Sequence, residues 1–382
     1  MGDKRNIAVI FLITLMGVMG VASITPAFPS IIEHFGINPA QVALLITVFT
    51  LPGIILTPII GLLADRLGRK IILLPSLFLF GLAGLGCFFA QDWEILLIWR
   101  FFQGIGAASL GALNVTLIGD LFSGERRVTI MGYNASILSV GTAVYPAIGG
   151  ALAMAGWQFP FLLTIFAIPA GFLVIFCLNN PEPKEPLSLR DYLKRSWKNI
   201  NKISVWGLFI INILLFVILY GSYLSYFPLL MVERLGASAF EIGLFMSAFS
   251  VVTATTSTQL KYINRLLKPK NQIYISIVLY MISMLLLSAV HTRTLLVLPL
   301  ITFGMAHGIL IPGIQTLLVG FAPLKERAGF MSINSMVLRV GQTIGPVISG
   351  LFYTLSGLSG AFLGGALVAL VMLILAFTMV KI

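Results

Sequence analysis

Three residues that ionise stand inside long apolar runs of this sequence: Arg100, His307 and Arg339. A charged side chain in a membrane-spanning segment costs about 2.5–3.5 kcal/mol on insertion scales, so such a residue is seldom idle. His307 titrates near neutral pH and could carry a coupled proton, or it could be a neutral histidine bonded to a neighbouring helix. Arg339 could anchor an anionic or zwitterionic group of a substrate, or it could be a structural partner of backbone carbonyls.

Uncharged polar side chains inside the same apolar runs are further candidates to line a cavity. Every Asp and Glu, in contrast, lies at the end of an apolar run or in a loop, so no carboxylate is expected at the midplane. The polar candidates are Asn114, Asn134, Asn212, Asn334 and Gln342, together with Tyr220, Tyr223 and Tyr226, which share one helix face.

The sequence shows no pattern typical of a metal or cofactor site. It has three His, none spaced as a metal pair. Its two cysteines, Cys87 and Cys177, lie in apolar runs without metal-ligand spacing. An ATP-binding loop is also missing. We therefore expect no metal, no cofactor and no enzymatic activity, and a membrane-embedded enzyme or a non-transporting receptor is a remote alternative.

The composition of the chain predicts that the elements which position these residues are helices in a lipid bilayer. Of the 382 residues 58% are hydrophobic and 10% are charged, whereas a soluble domain carries about 25% charged residues. A membrane-spanning helix needs about 20 mostly apolar residues. The chain is therefore predicted to be an all-α membrane protein with twelve transmembrane helices, at 7–31, 40–63, 71–90, 94–118, 128–152, 158–179, 204–229, 239–260, 272–290, 294–319, 329–352 and 358–380.

The basic residues predict how the chain crosses the membrane. With the N-terminus inside and twelve alternating spans, twenty of the 24 Lys and Arg fall on the inner side. Cytoplasmic loops retain Lys and Arg, so both termini are predicted to be cytoplasmic in a multi-pass protein of the cell membrane. The net charge of +11 is then explained by the orientation of the chain in the membrane, so nucleic acid is not an expected partner.

The two halves of the chain are related at an offset of 200 residues. Arg127, Met131, Asn134, Gly141, Pro146 and Gly150 have identical residues at 327, 331, 334, 341, 346 and 350. We predict a six-helix bundle at 1–178, a polar cytoplasmic linker at 179–203 and a second six-helix bundle at 204–382. Both halves cross the membrane in the same sense, which makes this a parallel repeat. Secondary transporters with such repeats bind substrate near the midplane, between the halves.

The loop after the second span carries an acid, two small residues and three basic residues at close spacing. It closely resembles the signature loop of the major facilitator superfamily, which helps to latch the two halves together at the cytoplasmic side. In the second half Asn264 stands where the first half has its acid, so the resemblance implies one functional and one decayed copy. The implied latch residues are Gly61, Asp65, Arg66, Gly68, Arg69 and Lys70, with Asp120 after the fourth span.

The fourth span begins with Arg100, Gln103 and Gly104, in a pattern that resembles the second motif of that family. The resemblance implies a role in proton coupling. Alternatively, Arg100 lies about a turn and a half from the outer end of its run and could reach the outer interface beside Trp99.

The fifth span resembles the motif that marks the antiporter branch of the family, the drug/proton exporters. There a Gly–Pro pair bends the helix and glycines let the interface between the halves close. A tyrosine departs from the glycine usual in that branch, and it would either obstruct close packing or add a hydroxyl to the cavity. The residues concerned are Gly141, Tyr145, Pro146, Gly149 and Gly150.

The predicted function is secondary active transport, with proton-coupled efflux of small apolar or amphiphilic compounds by alternating access. In this family the first, fourth, seventh and tenth spans line the cavity, which favours His307 and Tyr220 over Arg339. The absence of a midplane acid disfavours a specialised cation exporter. The alternative substrate is therefore an organic anion or a lipid-like metabolite, motivated by the two intramembrane arginines. We expect a monomer whose partners are a small-molecule substrate, protons and the bilayer.

Overall fold

The computed structural model of the chain describes residues 2–178, 202–321 and 327–380, and every regular element in these ranges is a helix. Of the predicted linker 179–203, residues 179–201 lie outside the described ranges. Helices are the outcome expected of such apolar runs, because a backbone in lipid must satisfy its hydrogen bonds internally.

Eleven helices in the described ranges are long and apolar enough to cross a membrane. The last one has 47 residues and is about 70 Å long, more than twice a bilayer core of about 30 Å. It bends at Ser356 and Gly357, where φ is −147° and 62°, and therefore makes two crossings. Twelve spans are thus confirmed. The eleven are Lys4–Phe35, Pro39–Gly61, Arg69–Phe88, Trp93–Leu121, Gly124–Ala153, Phe159–Cys177, Ile203–Leu235, Ala239–Thr258, Pro269–Ala289, Arg293–Phe321 and Ile333–Met379.

The first span is not one continuous helix, although its sequence predicts a single run. Helix Gly2–Ala22 is followed by a 3₁₀ turn at Thr25–Ala27 and by helix Phe28–Phe35. Pro26 and Pro29 lack the backbone N–H that would continue the helical hydrogen bonding. The carbonyls just before the break are therefore available to groups from other spans.

The seventh span has a matching irregularity near its middle. Helix Ile203–Phe216 passes into a π-helical stretch at Val217–Ser225 before helix Tyr226–Leu235. Within the π-helical stretch the Ser225 hydroxyl donates to the backbone carbonyl oxygen of Tyr220 at 2.7 Å. Such π-helical turns are rare and often occur at functional sites, and this one carries Tyr220 near the middle of the molecule.

The repeat predicted from the sequence also appears in the turn geometry. Gly36 and Gly236, at equivalent positions, end their helices with φ of 61° and 60°, a left-handed conformation that glycine adopts without strain. Two residues later Asn38 and Ser238 cap the next helix, each in a capping box with the side chain three residues on. The two halves therefore make the same turn by the same means.

The spans form two bundles that meet along two helix pairs. Spans one to six pack mainly against one another, as do spans seven to twelve, which confirms two bundles. The second span packs against the eleventh, and the fifth against the eighth. We call the end of the molecule that carries Gly36 and Gly236 the turn end, and the opposite end, with Gly68 and Lys202, the linker end.

Candidate functional site

Three threonines join the second and eleventh spans in the half of the molecule nearest the turn end. The Thr47 hydroxyl donates to the carbonyl oxygen of Thr343 at 3.0 Å, and the Thr343 hydroxyl donates to Thr50 Oγ1 at 2.9 Å. The sequence analysis missed them, although Thr47 and Thr50, three residues apart, share one face of an apolar helix. A hydrogen bond between helices in lipid contributes about 1 kcal/mol, so these bonds stabilise the contact between the two spans without making it permanent.

Glycines bring the fifth and eighth spans together at the same end. A Cβ on Gly150 would overlap the backbone carbonyl of Ala239, and a Cβ on Gly243 would overlap that of Pro146. Ser250 adds a hydrogen bond of 3.0 Å from its hydroxyl to the Thr142 carbonyl oxygen. The glycine of the antiporter-like motif and its neighbour across the interface thus allow backbone-to-backbone contact between the bundles.

The rest of the antiporter-like motif packs within the first bundle. A Cβ on Gly149 would overlap the Ser23 carbonyl, and one on Gly141 would lie 3.0 Å from a methyl carbon of Val18. Tyr145 is only 8% exposed, and its ring lies beside Gly141 without preventing these close approaches. Of the two readings left open by the sequence, obstruction of packing does not occur.

The signature loop forms an ion pair at the linker end. Arg69 Nε lies 3.0 Å from Asp120 Oδ2, and both side chains are about nine-tenths buried. Lys70 Nζ donates to the carbonyl oxygen of Ile175 at 2.5 Å, which ties the loop to the sixth span. The side chain of Asp65 lies outside the described part of the structure. Arg69 and Asp120 are thus brought together within one bundle.

Of the other loop residues, Gly68 is buried at the turn between the second and third spans. Gly68 has φ of 95°, a conformation that favours glycine and allows the sharp turn into the third span. Arg66 is exposed, and a Cβ on Gly61 would meet nothing within 4 Å. In the second bundle Asn264 accepts a hydrogen bond of 2.8 Å from Gln272 Nε2, a neutral contact at the position of the decayed copy.

Arg100 does not reach the outer interface, because its side chain is 0% exposed. Its Nε donates to the carbonyl oxygen of Leu45 at 3.1 Å, and its Nη1 donates to that of Gly20 at 3.0 Å. Nη1 also contacts Gln103 Oε1 at 2.5 Å, and Gln103 Nε2 donates to Thr164 Oγ1 at 3.1 Å. The guanidinium therefore ties the first, second, fourth and sixth spans together.

Close helix packing surrounds this arginine. A Cβ on Gly104 would overlap the backbone carbonyl of Phe49, and one on Gly20 would lie 2.6 Å from the Phe49 ring. The ring in turn lies under Arg100, with its centroid 4.2 Å from Cζ. An arginine over an aromatic face gains electrostatic attraction that is larger where water is excluded.

The asparagine candidates are buried between helices and line no open space. In the first bundle Asn114 Nδ2 donates to Thr14 Oγ1 at 2.5 Å and to Asn134 Oδ1 at 3.2 Å. In the second bundle Asn212 Nδ2 donates to Asn334 Oδ1 at 2.8 Å. The two clusters join the first span to the fifth and the seventh to the eleventh, which are equivalent pairs under the repeat.

His307 forms a hydrogen bond with a neighbouring helix and sits at the edge of an aromatic cluster. Its Nδ1 lies 2.5 Å from the hydroxyl of Tyr280 in the ninth span. Its ring is parallel to that of Phe303, one turn away, with centroids 6.5 Å apart. Tyr223 stacks on Phe303 at 4.8 Å and is fully buried, so it belongs to the core of the second bundle. His307 itself is only partly buried.

Arg339 lies between the bundles, near the middle of the molecule. It belongs to the eleventh span, yet a Cβ on Gly53 of the second span would lie 3.1 Å from its Cδ and Nε. Gly111 of the fourth span is also nearby, its Cβ position 3.9 Å from Nη2. Tyr220 is close enough to Arg339 to interact electrostatically. The sequence candidates Arg339 and Tyr220 therefore lie in the same neighbourhood of the molecule.

A separate cleft of about 450 Å³ lies at the turn end, between the first, seventh and eighth spans. Ile32 and Glu33 line one side, and their repeat equivalents Val232 and Glu233 line the other. The repeat thus places equivalent residues on opposite walls.

The chain is similar to known membrane transporters over its whole length. Residues 10–319 and 230–381 match the family model described as Major Facilitator Superfamily. Multidrug resistance protein 1 of Bacillus subtilis is 26% identical over 360 residues, which cover 92% of this chain and 91% of that protein. Quinolone resistance protein NorA of Staphylococcus aureus is 23% identical over 367 residues, with coverage of 92% and 90%. A solved bacterial homolog of the human lysosomal transporter Spinster has a TM-score of 0.80 at 17% identity, over 99% of this chain and 95% of that one.

Proposed function

The chain belongs to the Major Facilitator Superfamily and is therefore a membrane transporter rather than an enzyme, and we propose that it exports small apolar or amphiphilic compounds in exchange for protons. Two relatives of similar length whose names refer to resistance against drugs support the choice of substrate. The proposed mechanism is alternating access, in which the two bundles rock about a site between them.

The observation that carries this proposal is the place where the bundles touch. The cross-bundle contacts through Thr47, Thr343, Gly150 and Gly243 all lie in the half of the molecule nearest the turn end. By the distribution of basic residues, that end is the outer one and both termini are cytoplasmic. We infer that the described conformation is the one in which the bundles are in contact at the outer end.

The signature loop is the proposed switch at the other end. Arg69 and Asp120 are already paired within the first bundle at 3.0 Å, so this pair can form without the second bundle. Asp65, two residues before the end of helix Leu44–Leu67, is the proposed acid that meets the second bundle when the linker end closes. An acid is stabilised at a helix N-terminus, and the eleventh span begins at this end.

Replacement Asp65→Asn is expected to abolish transport without preventing expression or membrane insertion. The amide keeps the size of the side chain but removes the charge that stabilises the outward-open state. The measurement is pH-gradient-driven efflux of ethidium, rhodamine 123 and fluorescein in proteoliposomes. Unimpaired gradient-driven transport by this variant would remove Asp65 from the switch. Absence of gradient-driven flux of every dye in the wild-type protein would contradict the proposed function itself.

His307 is the proposed proton carrier, because histidine ordinarily titrates near neutral pH and this one, deep in the second bundle, remains partly exposed. His307→Ala is expected to lose most of the pH-gradient-driven accumulation while downhill flux of the same dye continues. His291→Ala, at an exposed position near the turn end, is the matched control and should behave as wild type. Tyr280→Phe removes only the hydrogen-bond partner of His307 and should alter the pH dependence without abolishing coupling. Wild-type accumulation by His307→Ala would refute the assignment.

A further inference from the structure

The side chain of Arg339 occupies a position that Gly53 keeps open. It is anchored on the second bundle but lies against Gly53 of the first bundle, while the Cβ position of Gly111 is at an ordinary contact distance of 3.9 Å from Nη2. A methyl group at Gly53 would come within 3.1 Å of the Arg339 side chain, tighter than ordinary van der Waals contact. The absence of a side chain at Gly53 therefore gives the arginine room to cross between the bundles.

This position is directly next to the closed contact between the bundles. Arg339 lies one helical turn before Thr343, which bonds to both Thr47 and Thr50. Arg339 is on the linker side of that contact, since the eleventh span runs from the linker end to the turn end.

The two intramembrane arginines differ in how the protein satisfies them. Arg100 is 0% exposed and bonds to two backbone carbonyls and to Gln103. The guanidinium of Arg339 is only partly buried, and no hydrogen bond or ion pair joins it to another residue of the described ranges. Its five N–H donors are thus available, while an arginine in apolar surroundings needs acceptors.

Acids of the first bundle are too far along their helices to fill this role. Asp65 is twelve residues from Gly53, about 18 Å along the second span, and Asp120 is nine residues from Gly111, about 13 Å along the fourth. Tyr220 is the neighbouring group that interacts electrostatically with Arg339, and its hydroxyl can donate a further hydrogen bond. The site thus offers one fixed positive charge and neutral donors.

We propose that Arg339 and Tyr220 bind the oxyanion of a transported compound, a carboxylate or a sulfonate, between the bundles and beside the threonine contact. A planar guanidinium matches such a group with two parallel hydrogen bonds. The anion would touch both bundles at once, because the side chain of Arg339 already reaches Gly53 and Gly111. The inference rests on the proposed export function and specifies one class among its substrates.

The test is equilibrium binding of dyes to the purified, detergent-solubilised protein, followed by fluorescence polarisation. Fluorescein and 8-anilinonaphthalene-1-sulfonate are the anionic probes, and rhodamine 123 is a cationic probe with the ring system of fluorescein. Arg339→Gln is expected to raise Kd for both anions by about tenfold or more, because charge-assisted hydrogen bonds are lost, and to change Kd for rhodamine 123 by less than about twofold. Arg339→Lys should retain part of the anion affinity. Arg293→Gln removes an arginine from an exposed ion pair near the turn end and should leave the affinity for both anions unchanged.

Two outcomes would overturn the proposal. One is that neither anionic dye binds the wild-type protein; the other is that Arg339→Gln weakens the anions and rhodamine 123 equally. If Arg339→Gln does not fold, Tyr220→Phe decides in its place, and an unchanged Kd for both anions counts against the site. Gradient-driven flux of rhodamine 123 in proteoliposomes reports separately on the export function, so export can stand while the anion site fails.

Discussion

Gly150→Val and Gly243→Val are each expected to lower the transport rate by about tenfold or more, because they hold the bundles apart at the turn end. The added side chain would overlap the backbone carbonyl of Ala239 in the first case and of Pro146 in the second. Backbone atoms cannot rotate away as a flexible side chain can. Overpacking of this kind costs about 1–3 kcal/mol, which changes the ratio of two conformations by about 5- to 150-fold.

The conformational part of this prediction can be measured directly. Spin labels at Ile32→Cys and Val232→Cys, on opposite walls of the turn-end cleft, should move apart in Gly150→Val relative to the parent protein. The parent carries Cys87→Ala and Cys177→Ala, so that no native thiol is labelled. Gly132→Val is the control, since a side chain there meets nothing within 4 Å. An unchanged distance together with full transport would show that the close approach of these helices is dispensable.

Arg100→Gln is expected to destabilise the first bundle strongly. The charged donor bonds to the carbonyls of Gly20 and Leu45 and to Gln103, and a hydrogen bond to a charged group contributes about 1.5–3 kcal/mol. Loss of these bonds should remove about 3 kcal/mol or more from the free energy of unfolding. The midpoint of thermal unfolding in detergent should therefore fall by several degrees or more.

The matched control for Arg100 is the other intramembrane arginine. Arg339→Gln removes the same charge from another span, but it breaks no hydrogen bond within the described ranges, so its unfolding temperature should stay near that of the parent. Arg100→Lys should be intermediate, because an ammonium can reach some of the same carbonyls. Equal unfolding temperatures for Arg100→Gln and the parent would refute the structural role. A stable Arg100→Gln protein that lost only its response to a pH gradient would favour the coupling role implied by its motif.

Hydropathy, charge and the internal offset were sufficient to predict the fold of this chain. The twelve spans follow from the length of apolar chain that a bilayer requires, and the two bundles follow from the repeat. The same offset relates Gly36 to Gly236 and Asn38 to Ser238, so turn geometry at one half could have been predicted from the other.

The partners of the candidate residues could not be predicted in the same way. Helices in lipid are apolar on every face, so hydropathy does not reveal which face packs against which helix. The acceptors of Arg100 are backbone carbonyls, which leave no trace in side-chain identity. His307 meets Tyr280, 27 residues earlier, and Arg339 meets Gly53, on the other bundle. The signal for Arg339 is Gly53, which leaves room for its side chain, and this signal can be recognised only once the spans are placed in three dimensions.

Many of the contacts that hold this transporter in shape end on main-chain oxygens. Arg100 bonds to those of Gly20 and Leu45, Thr47 bonds to that of Thr343, and Gly150 packs on that of Ala239. A substitution changes a side chain but leaves the backbone carbonyl in place. The residue type can therefore vary at the positions that accept through their carbonyls, whereas it cannot vary at the positions whose side chains donate. During evolution such a protein can therefore change the side chains that line its cavity while it keeps most of the contacts between its helices. Selection with successive toxic compounds should accordingly collect substitutions at accepting positions such as Ala239, which lines the turn-end cleft, and spare Arg100 and Gly150.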